Sequence, residues 1–235
     1  MTKCRMLLYI LEKDRQELIE YEKGDVKVCI EQGEQWLHDF PLFLGINKKN
    51  PPQIAVWLED TQGNYLSTVY VTHKIATQSW QASGGNRRKE ALPHWCYSRG
   101  VKYDDGLYLP TKKEPLIDGI SGATPHESFD IKLNPATALK KFVVKIEINH
   151  STDFNEAFPK SAKDGEANYS GGKEGSGQPA IVYAANVDLS SGEKSFEANL
   201  MGHSSPDGSS GEVNKNTSGL TTALHIVKRI TVIIQ

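Results

Sequence analysis

Apolar and polar residues alternate with period two along several segments of the chain. Such alternation marks strands with one buried face. It predicts strands over residues 26–30, 54–59, 65–72, 128–133, 142–149, 180–187 and 226–234. In the 142–149 segment, Phe142, Val144, Ile146 and Ile148 fall on one face. Val143, Lys145, Glu147 and Asn149 fall on the other. Residues 54–71 read as a hairpin. Its turn, Asp60-Thr61-Gln62-Gly63-Asn64, supplies side-chain acceptors and a glycine free to take positive φ.

The first 23 residues fit two patterns. Residues 5–21 are rich in helix formers and suit a short helix. Alternatively 17–22 pairs with 26–30 across Lys23-Gly24-Asp25, and the hairpin is the preferred reading. The later chain carries two polar, glycine- and serine-rich stretches, 164–178 and 202–217. Ten of the 20 glycines lie at or after Gly165, so flexibility is concentrated there. These stretches exceed the usual connection of about two to six residues and read as surface loops, functional or mobile. Short strands separated by turn-rich loops predict an all-β fold, an immunoglobulin-like β-sandwich. Residues 50–235 would form it. Residues 1–49 would be an N-terminal extension packed on the sandwich or continuing it.

Composition narrows the function classes. Apolar residues make up 38% and charged residues 24%, an ordinary globular balance rather than a disordered one. A net charge of -2 lacks the basic footprint of a nucleic-acid binder. Three cysteines, Cys4, Cys29 and Cys96, exclude a disulfide framework but leave one bridge open. No apolar run approaches the roughly 20 residues of a membrane span. Lys3 and Arg5 precede six apolar residues, but Glu12-Lys13-Asp14 follows at once, so no signal peptide is expected.

The most informative stretch is Asp118-Gly119-Ile120-Ser121-Gly122-Ala123-Thr124. It resembles the flavinylation signal of the FMN-binding domains in sodium-pumping NADH:quinone reductase and the Rnf complex. There an acidic residue precedes Ser/Thr-Gly-Ala-Thr by two residues, and a flavin transferase joins FMN through its phosphate to the final threonine. The resemblance implies covalent FMN on Thr124, with Asp118, Ser121, Gly122 and Ala123 recognised by the transferase. The chain departs from that pattern after Thr124, where Pro125 and His126 stand in place of the usual hydroxyl residue two positions on. Residues alone also allow a plain turn. Pro125 fixes its own φ and biases Thr124 to extended geometry, which would deliver the chain into the 128–133 strand.

A broader resemblance spans about residues 50–235. Ala55-Val56-Trp57-Leu58-Glu59-Asp60, Gly63-Asn64-Tyr65, Thr68-Val69-Tyr70-Val71, Leu92-Pro93-His94-Trp95 and 118–125 occur in the order seen in a bacterial family of predicted periplasmic proteins of unknown function. That family's domain resembles the immunoglobulin-like domain of flagellar hook-capping proteins. Its members are associated with flavin transferases and membrane redox proteins. The resemblance implies a periplasmic or extracellular accessory or carrier in a flavin-linked redox system, without catalysis of its own. The alternative is a cofactor-free binding module whose long loops contact a protein or glycan.

Other chemistry is thinner. His150, Asp153, Glu156, His203 and Asp207 carry ligand atoms but lack calcium-loop spacing, and no Cys-x-x-Cys pair suits zinc. They are expected to be solvated or turn-capping. Gly119-Ile120-Ser121-Gly122-Ala123 is an imperfect nucleophile elbow, because a strand rather than a helix follows. The Ser-x-x-Lys matches at Ser170 and Ser191 look like chance. Asn86-Arg87-Arg88-Lys89 reads as a solvated basic tip. Trp36, Trp57, Trp80 and Trp95 read as core anchors rather than a stacking surface.

Overall fold

A computed structural model of the chain describes residues 19–41, 47–80, 87–111, 113–116, 120–122, 124–135 and 139–235. The strands are β1 (Ile19–Gln32), β2 (His38–Pro41), β3 (Asn47–Asn50), β4 (Gln53–Glu59), β5 (Tyr65–Thr72), β6 (Ile120–Gly122) and β7 (Phe129–Pro135). They continue with β8 (Lys141–Asn149), β9 (Ile181–Asp188), β10 (Ser195–Glu197), β11 (Asn199–Ser204), β12 (Val213–Asn214) and β13 (Val227–Ile234). Two short helices, α1 (His73–Thr77) and α2 (Pro93–Ser98), lie between β5 and β6. No helix among the described residues is long and apolar enough to cross a membrane.

The chain is all-β, and two sheets face each other. The smaller has the order β10-β13-β1-β7 and the larger β12-β11-β9-β8-β4-β5-β6. Every pairing in them is antiparallel except β5 with β6. The core lies between the sheets. Val26, Val28 and Ile30 of β1 and Ile230 and Val232 of β13 share one cluster with Ile54, Val56 and Leu58 of β4. Phe142, Val144, Ile146 and Ile148 of β8 complete it, on the face that alternation assigned to the interior. Burying each such side chain stabilises the fold by about 1.5–3 kcal/mol relative to leaving it in water.

A second apolar layer covers the outer face of the large sheet. Ala55 and Trp57 of β4 and Val71 of β5 meet Ile75 and Ala76 of α1, Trp95 and Cys96 of α2, and Leu109. β4 is therefore buried on both faces throughout its length. That burial explains its near-continuous apolar run, which strict alternation does not. Trp36, Trp57 and Trp95 are core anchors, as expected, whereas Trp80 only packs against the second layer.

The expected hairpin at the N-terminus is not what forms. β1 is one long strand between β13 and β7. Ile19–Tyr21 and Val26–Ile30 both pair with β7, and the register shifts between Tyr21 and Val26. Lys23-Gly24-Asp25 is thus absorbed as an irregularity within a strand, where a neighbouring strand outcompetes a local reversal. Residues 5–18 of the alternative helix lie outside the described residues. The hairpin of β4 and β5 is as predicted: Asp60 Oδ1 accepts from the Gln62 and Asn64 amides at 2.8 and 2.9 Å, and Gly63 has φ of +85°. Cys29 and Cys96 are free thiols. Cys29 is on β1, while Cys96 is buried in the outer layer, where burial pushes its thiol up to about 12.

Candidate functional site

The segment around Thr124 links the two sheets along one side of the sandwich. β6 is the edge strand of the large sheet and β7 the edge strand of the small one, so residues 124–128 cross from one sheet to the other. Among the described residues Ser121 lies within β6 and the next element is strand β7, not the helix a nucleophile elbow requires. Asp118 and Ala123 lie outside the described residues. Ser121 is exposed, and Gly122 and Thr124 are half-buried. The Thr124 hydroxyl makes no hydrogen bond among the described residues. Beneath this crossing sit three aromatic rings. Trp36 Nε1 donates to the Pro125 carbonyl at 3.2 Å, and Phe129 packs against both Trp36 (centroids 6.3 Å apart) and Tyr70 (5.5 Å).

Gly122 has a packing reason of its own. A Cβ there would stand 2.8 Å from Tyr70 Cε2, so the ring would have to shift. Tyr70 is itself 8% exposed within the core. Gly122→Ala is expected to destabilise the fold by roughly 1–3 kcal/mol through overpacking, whatever the segment's function. Chemical denaturation checks this, and an unchanged midpoint would show that the ring has room to yield.

On the outer face of the large sheet, Glu147 of β8 is fully buried. Sequence alternation gave it a solvated face, but α2 lies over that face and supplies its partners. Glu147 Oε1 accepts from the His94 amide at 3.1 Å, and Oε2 from the Trp95 amide at 2.8 Å. Pro93 starts α2 with a fixed φ, and no neighbouring side chain caps the helix. A carboxylate from a distant strand does so instead, satisfying two amides that a helix start leaves open. Ser204 Oγ of β11 also donates to Glu147 Oε1. Burial holds the Glu147 carboxyl up to about 7, against these three hydrogen bonds, which favour the ionised form. A protonated Glu147 has a ready acceptor in Ser204 Oγ, whose own proton can turn to the Ala180 carbonyl 3.4 Å away. Trp57 Nε1 and Lys145 Nζ bind the neighbouring Glu59 carboxylate at 2.8 and 3.6 Å.

Ser204 also lines a cleft of about 540 Å³ at the opposite edge of the large sheet. Its walls come largely from the glycine- and serine-rich loop after β11: Ser205, Pro206, Ser210, Glu212, Val213, Asn214, Asn216 and Ser218. Phe158 and Ala167 close it from the long β8–β9 connection. His203 and Ser204 are neighbours on β11 and point to opposite faces, as a strand requires. Ser204 reaches Glu147, while His203 meets Phe158 edge-on at 6.3 Å. The His203 Nδ1 lies 2.8 Å from the Ser204 carbonyl, which can only accept, so Nδ1 donates this bond and Nε2 is the acceptor of the neutral ring.

The two loops that wall the cleft are tied together. Asn155 Nδ2 donates to the Gly219 carbonyl at 2.9 Å, and Gln178 Oε1 accepts from the Thr221 amide at 2.6 Å. Thr222 Oγ1 donates to Asp153 at 2.6 Å. β11 and β12 approach so closely that a Cβ on Gly202, which has φ of +141°, would lie 2.1 Å from the Asn214 carbonyl oxygen. These loops are long, but they are built structures rather than slack chain.

The remaining sequence candidates do not converge on a metal site: no group of three or more potential ligands forms among the described residues. The expectation of solvated side chains is corrected for three of them. His150, Asp153 and His203 are 3, 3 and 5% exposed. His150 Nε2 bonds the Gln35 carbonyl oxygen at 2.8 Å, and burial lowers its imidazole to about 4, which keeps it neutral. Asp207 does cap its own loop, accepting from Ser205 Oγ at 2.6 Å and the Ser209 amide at 3.0 Å. The basic tip is corrected too. Arg88 is 5% exposed and pairs with buried Glu90 at 3.0 Å. It also donates to Ser151 and Ser176, beneath the second loop system, and its guanidinium lies 4.8 Å from the Trp80 ring centre.

Two separate places therefore offer chemistry: the partly buried Thr124 at one edge of the large sheet and the polar cleft at the other. Six strand spacings separate those edges. At about 4.8 Å each, that is roughly 29 Å along the sheet. Comparison with protein-family models, with curated proteins and with solved structures finds no match to this chain.

Proposed function

We propose that the protein is a non-catalytic carrier or accessory of an extracytoplasmic, flavin-linked redox system, with FMN joined through its phosphate to Thr124. In this reading the sandwich is of immunoglobulin type. The chain sits with the bacterial periplasmic family its motifs resemble, and its partners are a flavin transferase and a membrane redox protein. One observation carries the proposal: Thr124 is only partly buried and its hydroxyl has no hydrogen bond among the described residues, just past the edge strand β6. An acceptor hydroxyl must be free to react, whereas a threonine that builds a turn can bond its own backbone.

The residues fit the group. Ser121, close to Thr124 in the chain, is exposed, and Phe129 is a partly buried aromatic residue on the next strand. Attachment is balanced with an activated flavin nucleotide as donor. The Thr124 Oγ–phosphorus bond forms, the bond from phosphorus to the donor's leaving group breaks, and the hydroxyl proton passes to a base of the transferase. The bound flavin would supply the electron transfer. The chain's own part is to hold the attachment point on a rigid edge, with Trp36 fixing Pro125 through its carbonyl.

The test is co-expression with a flavin transferase, followed by intact mass and in-gel flavin fluorescence. Wild type is expected to gain the mass of one FMN less water, and Thr124→Ala none. Absence of an adduct on wild type, or its persistence on Thr124→Ala, overturns the proposal.

A further inference from the structure

The cleft beside β11 and β12 is independent of Thr124, because the two lie at opposite edges of the large sheet. A volume near 540 Å³ is within the range of about 300–1,000 Å³ typical of small-molecule sites. Its lining selects among ligand classes. No lysine or arginine lines it, so a phosphate or carboxylate would find no charged partner. Its one formal charge is Glu212, which is exposed, so a cation gains little there. Its apolar surface is limited to Phe158, Ala167, Pro206 and Val213, too little for a lipid or other wholly apolar ligand.

The lining does present ordered hydrogen-bonding groups. The Asn214 side-chain oxygen accepts from the Asn216 amide at 2.9 Å, and the Asn216 oxygen accepts from the Ser218 amide at 3.1 Å. Each asparagine is thereby held by its oxygen, and its NH₂ group makes no bond among the described residues. His203 is the buried member, 5% exposed, and its Nε2 acceptor has no partner among the described residues. The Glu212 carboxylate is a further free acceptor. Fixed donors and acceptors around a small apolar patch suit a ligand with many uncharged hydroxyls. The rigidity of the walls limits the ordering cost of binding.

We propose that this cleft binds a neutral mono- or disaccharide, with Asn214, Asn216, Glu212 and the His203 Nε2 as its hydrogen-bonding partners and Phe158 as its apolar wall. The proposal does not depend on flavinylation and is tested on the Thr124→Ala protein. Backbone amide NMR spectra are followed as glucose, galactose, mannose, N-acetylglucosamine and their β-linked disaccharides are titrated to tens of millimolar. Gluconate and glucose 6-phosphate serve as charged counterparts. At least one neutral sugar is expected to give saturable shifts confined to residues 202–219 and Phe158. Asn214→Ala with Asn216→Ala, both exposed positions, should weaken that binding roughly tenfold or more while leaving the rest of the spectrum in place. No saturable shift in the cleft with any neutral sugar overturns the proposal. So does equal affinity in the double variant, or tighter binding of the charged counterparts.

Discussion

Replacing Glu147 by alanine is expected to destabilise the fold by roughly 4 kcal/mol. The substitution strands the His94 and Trp95 amides at the start of α2 and the Ser204 hydroxyl, all of which bond this one carboxylate. It also opens a cavity beneath the helix that covers Trp57. Denaturant unfolding followed by tryptophan fluorescence measures the loss. A change below about 1 kcal/mol would show that water replaces the carboxylate without strain.

Glu147 also predicts a pH dependence. Burial raises its carboxyl to about 7 from the ordinary 4.5. Below 4.5 both folded and unfolded chains hold the proton. Between 4.5 and 7 the unfolded chain releases it and the folded chain keeps it. The group's contribution therefore falls as pH rises through that window, by roughly 3 kcal/mol in all. The buried histidines His94 and His150 tilt the other way, because burial lowers both and the unfolded chain then binds more protons. The Glu147 effect is thus read as the difference in slope between wild type and Glu147→Gln. The variant should lose less stability between those pH values than wild type does.

Arg88→Ala is expected to cost about 3–5 kcal/mol, the second large effect. The pair it breaks is 4% exposed on both sides, so removing the guanidinium leaves the Glu90 carboxylate buried and uncompensated. It also releases Ser151 and Ser176, the latter hydrogen-bonded onward to Asn149 Oδ1 at 2.7 Å. Arg88→Lys keeps the charge but offers a point donor in place of a planar fork, so it should fall between wild type and alanine. Removing both partners, Arg88→Met with Glu90→Gln, should recover part of the loss. Denaturation midpoints of the four proteins test this, and a double variant no better than Arg88→Ala would assign the loss to packing rather than charge.

The bounds of β5 and β8 were legible almost to the residue, although burial alternates only in the first part of β8 and β5 is buried on both faces from Ser67 on. Asp60 and Gly63 announced the turn between β4 and β5. Alternation loses its meaning where a second layer covers the sheet. Glu147 and Asn149 share the polar face of β8, and period two alone makes that face solvent-exposed. α2 covers Glu147 and the β8–β9 connection covers Asn149, and the near-continuous apolar run of β4 was the available clue. Arg88 looked like a loop tip because its partners Ser151 and Ser176 are far away in sequence. β1 misled for a related reason: Gly24 suggested a reversal, but β7 and β13 flank the strand and hold it extended.

The candidate site was only partly readable. The 118–124 motif could be seen, but not that Ser121 would fall on an edge strand and Thr124 at the start of the crossing to the other sheet. The glycine- and serine-rich loops were visible as loops. That they meet to form a cleft depends on Asn155, Gln178 and Thr222, which bond across more than 40 residues of sequence.

Covalent flavin at Thr124 is tested by tandem mass spectrometry of the tryptic peptide containing it, taken from protein co-expressed with a flavin transferase. The expected fragment ladder places FMN phosphate on the Thr124 side chain, with Ser121 unmodified. A ladder with both residues unmodified, or with the flavin on Ser121, would contradict it.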